Sequence, residues 1–132
     1  MNCPCCSNEK LENCCEPFIA GKKSPETPEQ LMRSRFTAFA LKKMNYIFET
    51  TDPQTRTKFD MKANEEWAQS SQFQKLEILN TSFENNKGQV EFRATFQTGE
   101  QPPQTHHELS KFRKQAGVWY FREGKVKAET PK

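Results

Sequence analysis

All five cysteines of this chain fall within its first fifteen residues, as Cys3-Pro4-Cys5-Cys6 and Cys14-Cys15, and none follows. Thiols this crowded form either a disulfide knot or a metal site. A disulfide gains most by joining distant parts of a chain, and these cysteines could close only small local loops. The N-terminus also lacks the basic stretch followed by an apolar one that marks a secretory leader. A reducing, cytoplasmic setting is therefore expected, in which thiols stay free and cysteines at knuckle spacing bind zinc. Four thiolates complete a tetrahedral site with no position left for water, so the expected zinc is structural and does no chemistry. So short a segment cannot bury a core, and metal ligation, worth on the order of 10 kcal/mol, must supply most of its folding free energy. Cys14 and Cys15 form one pair of ligands. The other pair is Cys3 with Cys5, or Cys3 with Cys6.

The pattern Cys3-Pro4-Cys5, then Cys14-Cys15, resembles the SEC-C motif, the small zinc element at the C-terminus of the SecA translocation ATPase. That resemblance implies Cys3, Cys5, Cys14 and Cys15 as ligands, with Ser7 standing where the motif has its serine. Cys6 is a departure, because the motif has glycine there and glycine implies a backbone conformation that a Cβ would strain. Cys6 is therefore the alternative ligand.

Length allows one compact domain and a short appendage. Only 33% of the residues are hydrophobic, but eleven Phe and two Trp bury large areas from few positions. A mean hydropathy of −0.98 leaves no room for a membrane span. The net charge of +3 is weakly basic. Up to Ser24, Lys10, Lys22 and Lys23 are matched by Glu9, Glu12 and Glu16. A four-thiolate zinc site would make that region acidic, which argues against a phosphate-binding finger and against nucleic acid as the partner.

Residues 1–24 read as knuckle and linker, and 25–132 as the main domain. The linker from Glu16 to Pro28 is expected to be extended, with Phe18 and Ile19 pinning it and docking the knuckle as a corner of the body. Thr27 is a natural N-cap, Pro28 suits the first helical position, and Gln30 completes a capping box. Met32, Phe36, Phe39, Ala40 and Ile47 recur at helical spacing, predicting one long helix to about Phe48. Asp52-Pro53 is expected to cap a short helical turn to about Phe59, and Asp60 a further helix through Trp67. Beyond Lys75 the period becomes two. Leu76–Phe83 and the strictly alternating stretch about Val90, Phe92, Ala94 and Phe96 flank a turn at Asn85-Asn86-Lys87-Gly88. His106–Lys114 and Val118–Lys125 make a second hairpin about Gln115-Ala116-Gly117. Helices first and then an antiparallel meander of about four strands is the α+β class.

The stretch Leu31-Met32-Arg33-Ser34-Arg35-Phe36-Thr37-Ala38-Phe39, with Tyr46 and Thr50-Thr51-Asp52-Pro53, resembles the YchJ-like family of small bacterial proteins. His107-Glu108-Leu109-Ser110-Lys111-Phe112 with Gly117-Val118-Trp119-Tyr120-Phe121 resembles it too. The resemblance covers essentially the whole chain. It implies a SEC-C knuckle followed by a nuclear-transport-factor-2-like domain, a curved antiparallel sheet wrapped round a long helix to leave a cone. Asp52 departs from the family's common His, removing one candidate ligand or base. Some relatives carry a second SEC-C copy at the C-terminus, where this sequence reads Ala128-Glu129-Thr130-Pro131-Lys132.

A cone offers one cavity, whose candidate polar lining is Arg33, Arg35, Tyr46, His107, Glu108, Ser110 and Tyr120. His107 and Glu108 are adjacent in a strand and point to opposite faces, so they do not form an acid–base pair. Arg35 lies on the apolar stripe and needs a carboxylate, for which Glu108 is the candidate. Trp67, Trp119 and Tyr120 read first as core aromatics. Two functions follow. The first is a zinc-knuckle protein-interaction module, the export and ribosome-associated partners of the SecA knuckle being the example that the resemblance supplies. The second is a small-molecule binder or enzyme using the cone, since related folds host isomerases and dehydratases, with no catalytic residue assigned.

Overall fold

A computed structural model describes residues 1–127; Ala128–Lys132, on which the expectation about a second SEC-C copy falls, lie outside the described residues. After the knuckle come helices α1 (Glu16–Ile19), α2 (Pro28–Ala40), α3 (Met44–Glu49) and α4 (Met61–Ser70). Strands β1 (Ser71–Glu84), β2 (Lys87–Thr98), β3 (Gln104–Gln115) and β4 (Val118–Val126) follow, in one antiparallel sheet of order β1-β2-β3-β4. The α+β class and the four-stranded meander are as the sequence implies. No helix among the described residues is long and apolar enough to cross a membrane.

The single long helix is corrected to two. The hydrophobic period runs unbroken through Leu41–Lys43, but the backbone does not. Lys43 N–H donates to Ala38 O (2.7 Å) and Lys42 N–H to Phe39 O (3.2 Å), the paired bonds of a helix C-terminal stop with residue 42 left-handed at φ 64°. Lysine occupies the position where glycine would flag the stop. Its Nζ donates to Ser71 O (2.9 Å) and lies 5.3 Å from the centre of the Phe73 ring, interactions that offset the strain. The linker is corrected too: Pro17 sits in the first turn of α1, so Glu16–Ile19 is one helical turn and not extended chain.

The N-terminus of α2 forms with a small variation. Thr27 Oγ1 accepts from Gln30 N–H (3.1 Å), while the Gln30 side chain reaches back to Glu26 N–H (2.7 Å). Asp60 caps α4 by accepting from Ala63 N–H. At the hairpin turns Asn85 (φ 56°), Ala116 (φ 51°) and Gly117 (φ 81°) supply the left-handed backbone that tight turns demand.

Three irregularities curve the sheet. Register shifts fall at Phe73/Lys75 and Ile78/Asn80 in β1, and at Lys111/Phe112 against β4, where Phe121 and Glu123 oppose neighbouring residues and Arg122 is the extra one. The curved face grips α2, of which Leu31, Ser34, Thr37 and Ala38 are wholly buried. Leu31, Phe36, Ile47, Val90, Phe92, Phe112 and Trp119 form the centre of the core, each large apolar side chain contributing about 2 kcal/mol of burial. Gly88 lets Pro28 lie against the sheet, since a Cβ at 88 would collide with the proline ring. Trp119 Nε1 donates to Glu26 O (3.2 Å), tying the linker to β4. The outer edge of β4 is covered by residues 50–52: Phe121 N–H donates to Thr50 O and Asp52 N–H to Phe121 O, both 2.8 Å.

Candidate metal centre

The first fifteen residues fold back on themselves. Cys3 N–H donates to Glu9 O (2.8 Å), Leu11 N–H to Met1 O (3.0 Å), and Asn2 bridges Lys10. Cys6 and Asn8 adopt left-handed φ of 65° and 70°, so residue 6 takes the conformation that glycine at this position of the SEC-C pattern implies. This fold brings the Sγ atoms of Cys3, Cys5, Cys14 and Cys15 to within 4.8 Å of one another. Cys5 and Cys14 are 3.6 Å apart, Cys14 and Cys15 3.8 Å. Zinc–sulfur bonds of about 2.3 Å place tetrahedral sulfurs about 3.8 Å apart, so these donors fit a zinc-sized ion. Cys3, Cys5 and Cys15 are buried and Cys14 half-buried.

Cys6 stands apart. It is exposed, its thiol faces Pro4 O, and its Sγ accepts from Leu76 N–H at 3.5 Å. That N–H belongs to the outer edge of β1, so Cys6 joins the knuckle to the sheet edge.

Hydrogen bonds among the thiols and burial shift their ionisation. The hydrogen bond from Cys15 holds Cys5 down to about 4, against the opposing effect of burial. Cys15 is pushed up by that same bond and then by burial, and burial pushes Cys14 up to about 11. A bound dication would stabilise the thiolate form of its sulfur ligands.

Helix α2 supports the cluster from behind. Arg33 donates from Nη1 to Cys5 O (2.8 Å) and from Nε to Glu29 (2.9 Å). One turn on, Thr37 Oγ1 lies 3.4 Å from Cys3 Sγ, and Ser7 Oγ lies 3.1 Å from Cys14 Sγ. Contacts of this kind orient metal ligands. Arg33, expected in the cavity, thus faces the knuckle. Thr37 was not singled out from sequence, although Arg33 and Thr37 stand four apart as polar interruptions of an apolar helix.

Among the other cavity candidates, Arg35 is buried, but its expected pair with Glu108 does not form. Its Nη1 donates to Ile47 O (3.0 Å) and Thr50 Oγ1 (2.7 Å), with Thr51 Oγ1 at 3.4 Å, and the guanidinium sits 4.5 Å from the centre of the Phe121 ring. The last-turn carbonyl of α3 and two hydroxyls serve in place of a carboxylate. Burial lowers Arg35 to about 10, with the charges of Tyr46 and Glu108 acting against that fall. Glu108 instead accepts from Ser110 Oγ (2.6 Å) and bonds His106 Nε2 (2.8 Å), its carboxylate lying over the bare backbone of Gly124. His107 bonds Glu91 at 2.7 Å. Tyr46 OH meets Ser34 Oγ at 2.7 Å, and burial raises its phenol to about 12. Strand alternation turns Tyr120 away from the face that carries Trp119 and Phe121, and it pairs in register with Arg113.

Sequence reasoning also missed Asp52, treated above as a helix cap and a lost base. Its carboxylate is wholly buried and takes two bonds from Arg113, both 2.7 Å, and one from Arg122 at 3.1 Å. The Arg113 guanidinium holds the Asp52 carboxyl well below the usual range, helped by the Gln54 N–H and by Arg122. A cleft of about 430 Å³ lies beside α3 and α4, lined by Ile19, Lys42, Asn45, Tyr46, Glu65 and Gln69 among others. A larger trough of about 1130 Å³ lies at the β1–β2 hairpin end of the sheet. Neither is lined by Arg35, Glu108 or Ser110.

The family described as "YchJ, middle NTF2-like domain" matches residues 27–124. A UPF0225 protein of Geobacter sulfurreducens is 44% identical over 126 residues, covering 92% of this chain and 77% of that one. The solution structure of a SEC-C motif containing protein from Rhodopseudomonas palustris has 47% identity and a TM-score of 0.91, covering 97% of this chain and 100% of that one. The crystal structure of a SEC-C motif containing protein from Psychrobacter arcticus has 33% identity and a TM-score of 0.82, covering 98% and 84%. Sequence and fold therefore agree across the knuckle and the body, and the chain belongs to the UPF0225 family, with a YchJ-type NTF2-like domain behind its N-terminal cysteine cluster.

Proposed function

We propose that Cys3, Cys5, Cys14 and Cys15 hold one structural zinc ion, and that the knuckle so formed is a protein-interaction element carried by the NTF2-like body. The carrying observation is the convergence of four sulfurs within 4.8 Å, backed by Arg33 and Thr37 of α2. A donor set made wholly of thiolates leaves the metal no open position, so its work is to hold the loop that presents the knuckle surface. The setting is a reducing one, the cytoplasm, where such thiols persist.

The body reads better as a scaffold than as a catalyst. Arg35, Tyr46, Glu108 and Ser110 are each engaged by protein groups on the inner side of the sheet. The partner is a protein. Glu9, Lys10 and Glu12 give the knuckle mixed charge, so it suits a partner of balanced charge more than an RNA-bearing surface.

The test is zinc content of reduced, purified protein together with capture of partners before and after chelation. One zinc per chain, and a partner set that depends on it, supports the reading. A fully folded knuckle without metal, or an identical partner set after chelation, overturns it.

A further inference from the structure

The trough at the hairpin end of the sheet is not absorbed by the knuckle or by the core. Its walls carry four cationic side chains, Lys87, Lys111, Arg113 and Arg122, against two carboxylates, Glu84 and Glu123. Two of the cations are already fixed in place. The extra residue in β4 turns Arg122 toward the sheet edge, where it shares the buried Asp52 carboxylate with Arg113. Arg113 also donates to Gln115 Oε1 (2.6 Å) and Arg122 to Gln54 Oε1 (3.1 Å). With Asp52 counted beside Glu84 and Glu123, the four cations exceed the carboxylates by one positive charge. Each guanidinium has five N–H donors, more than these bonds use. The arginines are thus ordered before any ligand arrives, which removes part of the entropy cost of binding.

Phe83 adds an apolar foothold. It lines the trough, is 53% exposed, and packs edge-on against the buried Trp119 with ring centres 5.8 Å apart. At about 1130 Å³ the trough is far larger than a simple anion needs. The interleaved Glu84 and Glu123 would repel a continuous phosphate backbone but can be skirted by a chain whose charges are spaced.

We propose that this trough binds an acidic, aromatic-bearing peptide segment of a partner protein, with its carboxylates on Lys87, Lys111 and the arginine pair and its apolar side chain against Phe83. The surface is separate from the knuckle, so this inference and the zinc reading fail independently.

The test is a fluorescence-anisotropy titration of zinc-replete, full-length protein with a fluorescein-labelled peptide of alternating Glu and Phe. Amide shifts in labelled protein map the contact. Saturable binding is expected, weakened about tenfold or more in Lys87→Glu/Lys111→Glu, whose changed side chains are exposed. The control Lys22→Glu/Lys23→Glu should match the unaltered protein, and the shifts should centre on residues 87–89 and 111–113. Absence of binding, equal affinity in the two double variants, or shifts centred elsewhere overturns the proposal. So does tighter binding of an oligouridine RNA, or displacement of the peptide by inorganic phosphate at low millimolar concentration.

Discussion

Arg113 closes on Asp52 with two parallel hydrogen bonds, Nε to Oδ2 and Nη2 to Oδ1, both 2.7 Å, on a carboxylate with no exposed surface. The pair ties Asp52 to β3, while the backbone bonds of residues 50–52 to Phe121 hold the edge of β4, so the helical half of the chain is joined to the last hairpin. Removing the acid leaves two guanidiniums facing each other without a counter-charge. Asp52→Ala should destabilise the protein by about 2 kcal/mol through its lost charge-assisted hydrogen bonds, measured by urea denaturation. A loss under 1 kcal/mol would show that the arginines relax into solvent.

The same pair sets a pH dependence. The native carboxyl titrates below its unfolded value, so its stabilisation is complete above about pH 5. It is lost progressively as pH falls below the ordinary Asp value near 3.9 and on toward the depressed native one. Asp52→Asn cannot titrate, and its stability should fall less steeply below about pH 4. Parallel acid-unfolding curves would contradict this.

Cys5 and Cys6 are adjacent but differ in fate. Cys5→Ser should lose stoichiometric zinc, while Cys6→Ser should keep it, because only the former Sγ lies in the cluster. Metal analysis of the two variants reads the difference directly, and loss of zinc from Cys6→Ser alone would reassign the ligand set.

Arg33 supports the cluster without contributing a sulfur. Arg33→Ala should retain zinc but release it to a chelator about tenfold faster or more, since groups that orient metal ligands alter affinity by that order. The body should lose only about 1 kcal/mol. An unchanged release rate would mean that α2 does not brace the knuckle.

Gly88 and Gly99 offer a packing contrast. An added Cβ at 88 would strike the Pro28 ring and the Phe83 side chain, whereas nothing lies within 4 Å at 99, where φ is +58°. Gly88→Ala should cost about 2 kcal/mol through overpacking, and Gly99→Ala about 1 kcal/mol through backbone strain. Equal melting temperatures for the two variants would refute the close packing of Pro28 on β2.

Much of the architecture was legible because it rests on local chemistry. The alternation from Val90 to Phe96 dictates a half-buried strand whatever surrounds it. Thr27-Pro28 starts a helix, and a clutch of thiols within fifteen residues lies close enough in the chain to form a local cluster. The helix stop at Lys42 was not legible, because the periodic pattern continues across it and the left-handed residue is held by Ser71 and Phe73, distant in sequence. Spacing alone permits either Cys5 or Cys6, the SEC-C resemblance implies Cys5, and the folded loop turns that thiol in and the other toward Leu76.

The sequence by itself thus determined the strands, the starts of α2 and α4, the class of the fold and the thiol-rich character of the knuckle. These follow from periodicity, capping and donor chemistry within a few residues. Tertiary structure alone decided the partners of the buried and half-buried charges: Asp52 to Arg113 and Arg122, Arg35 to a helix end and two threonines, Arg33 to the knuckle. A charge in the interior takes whichever counter-group the packing of distant segments delivers within about 3 Å, and no local pattern records that distance.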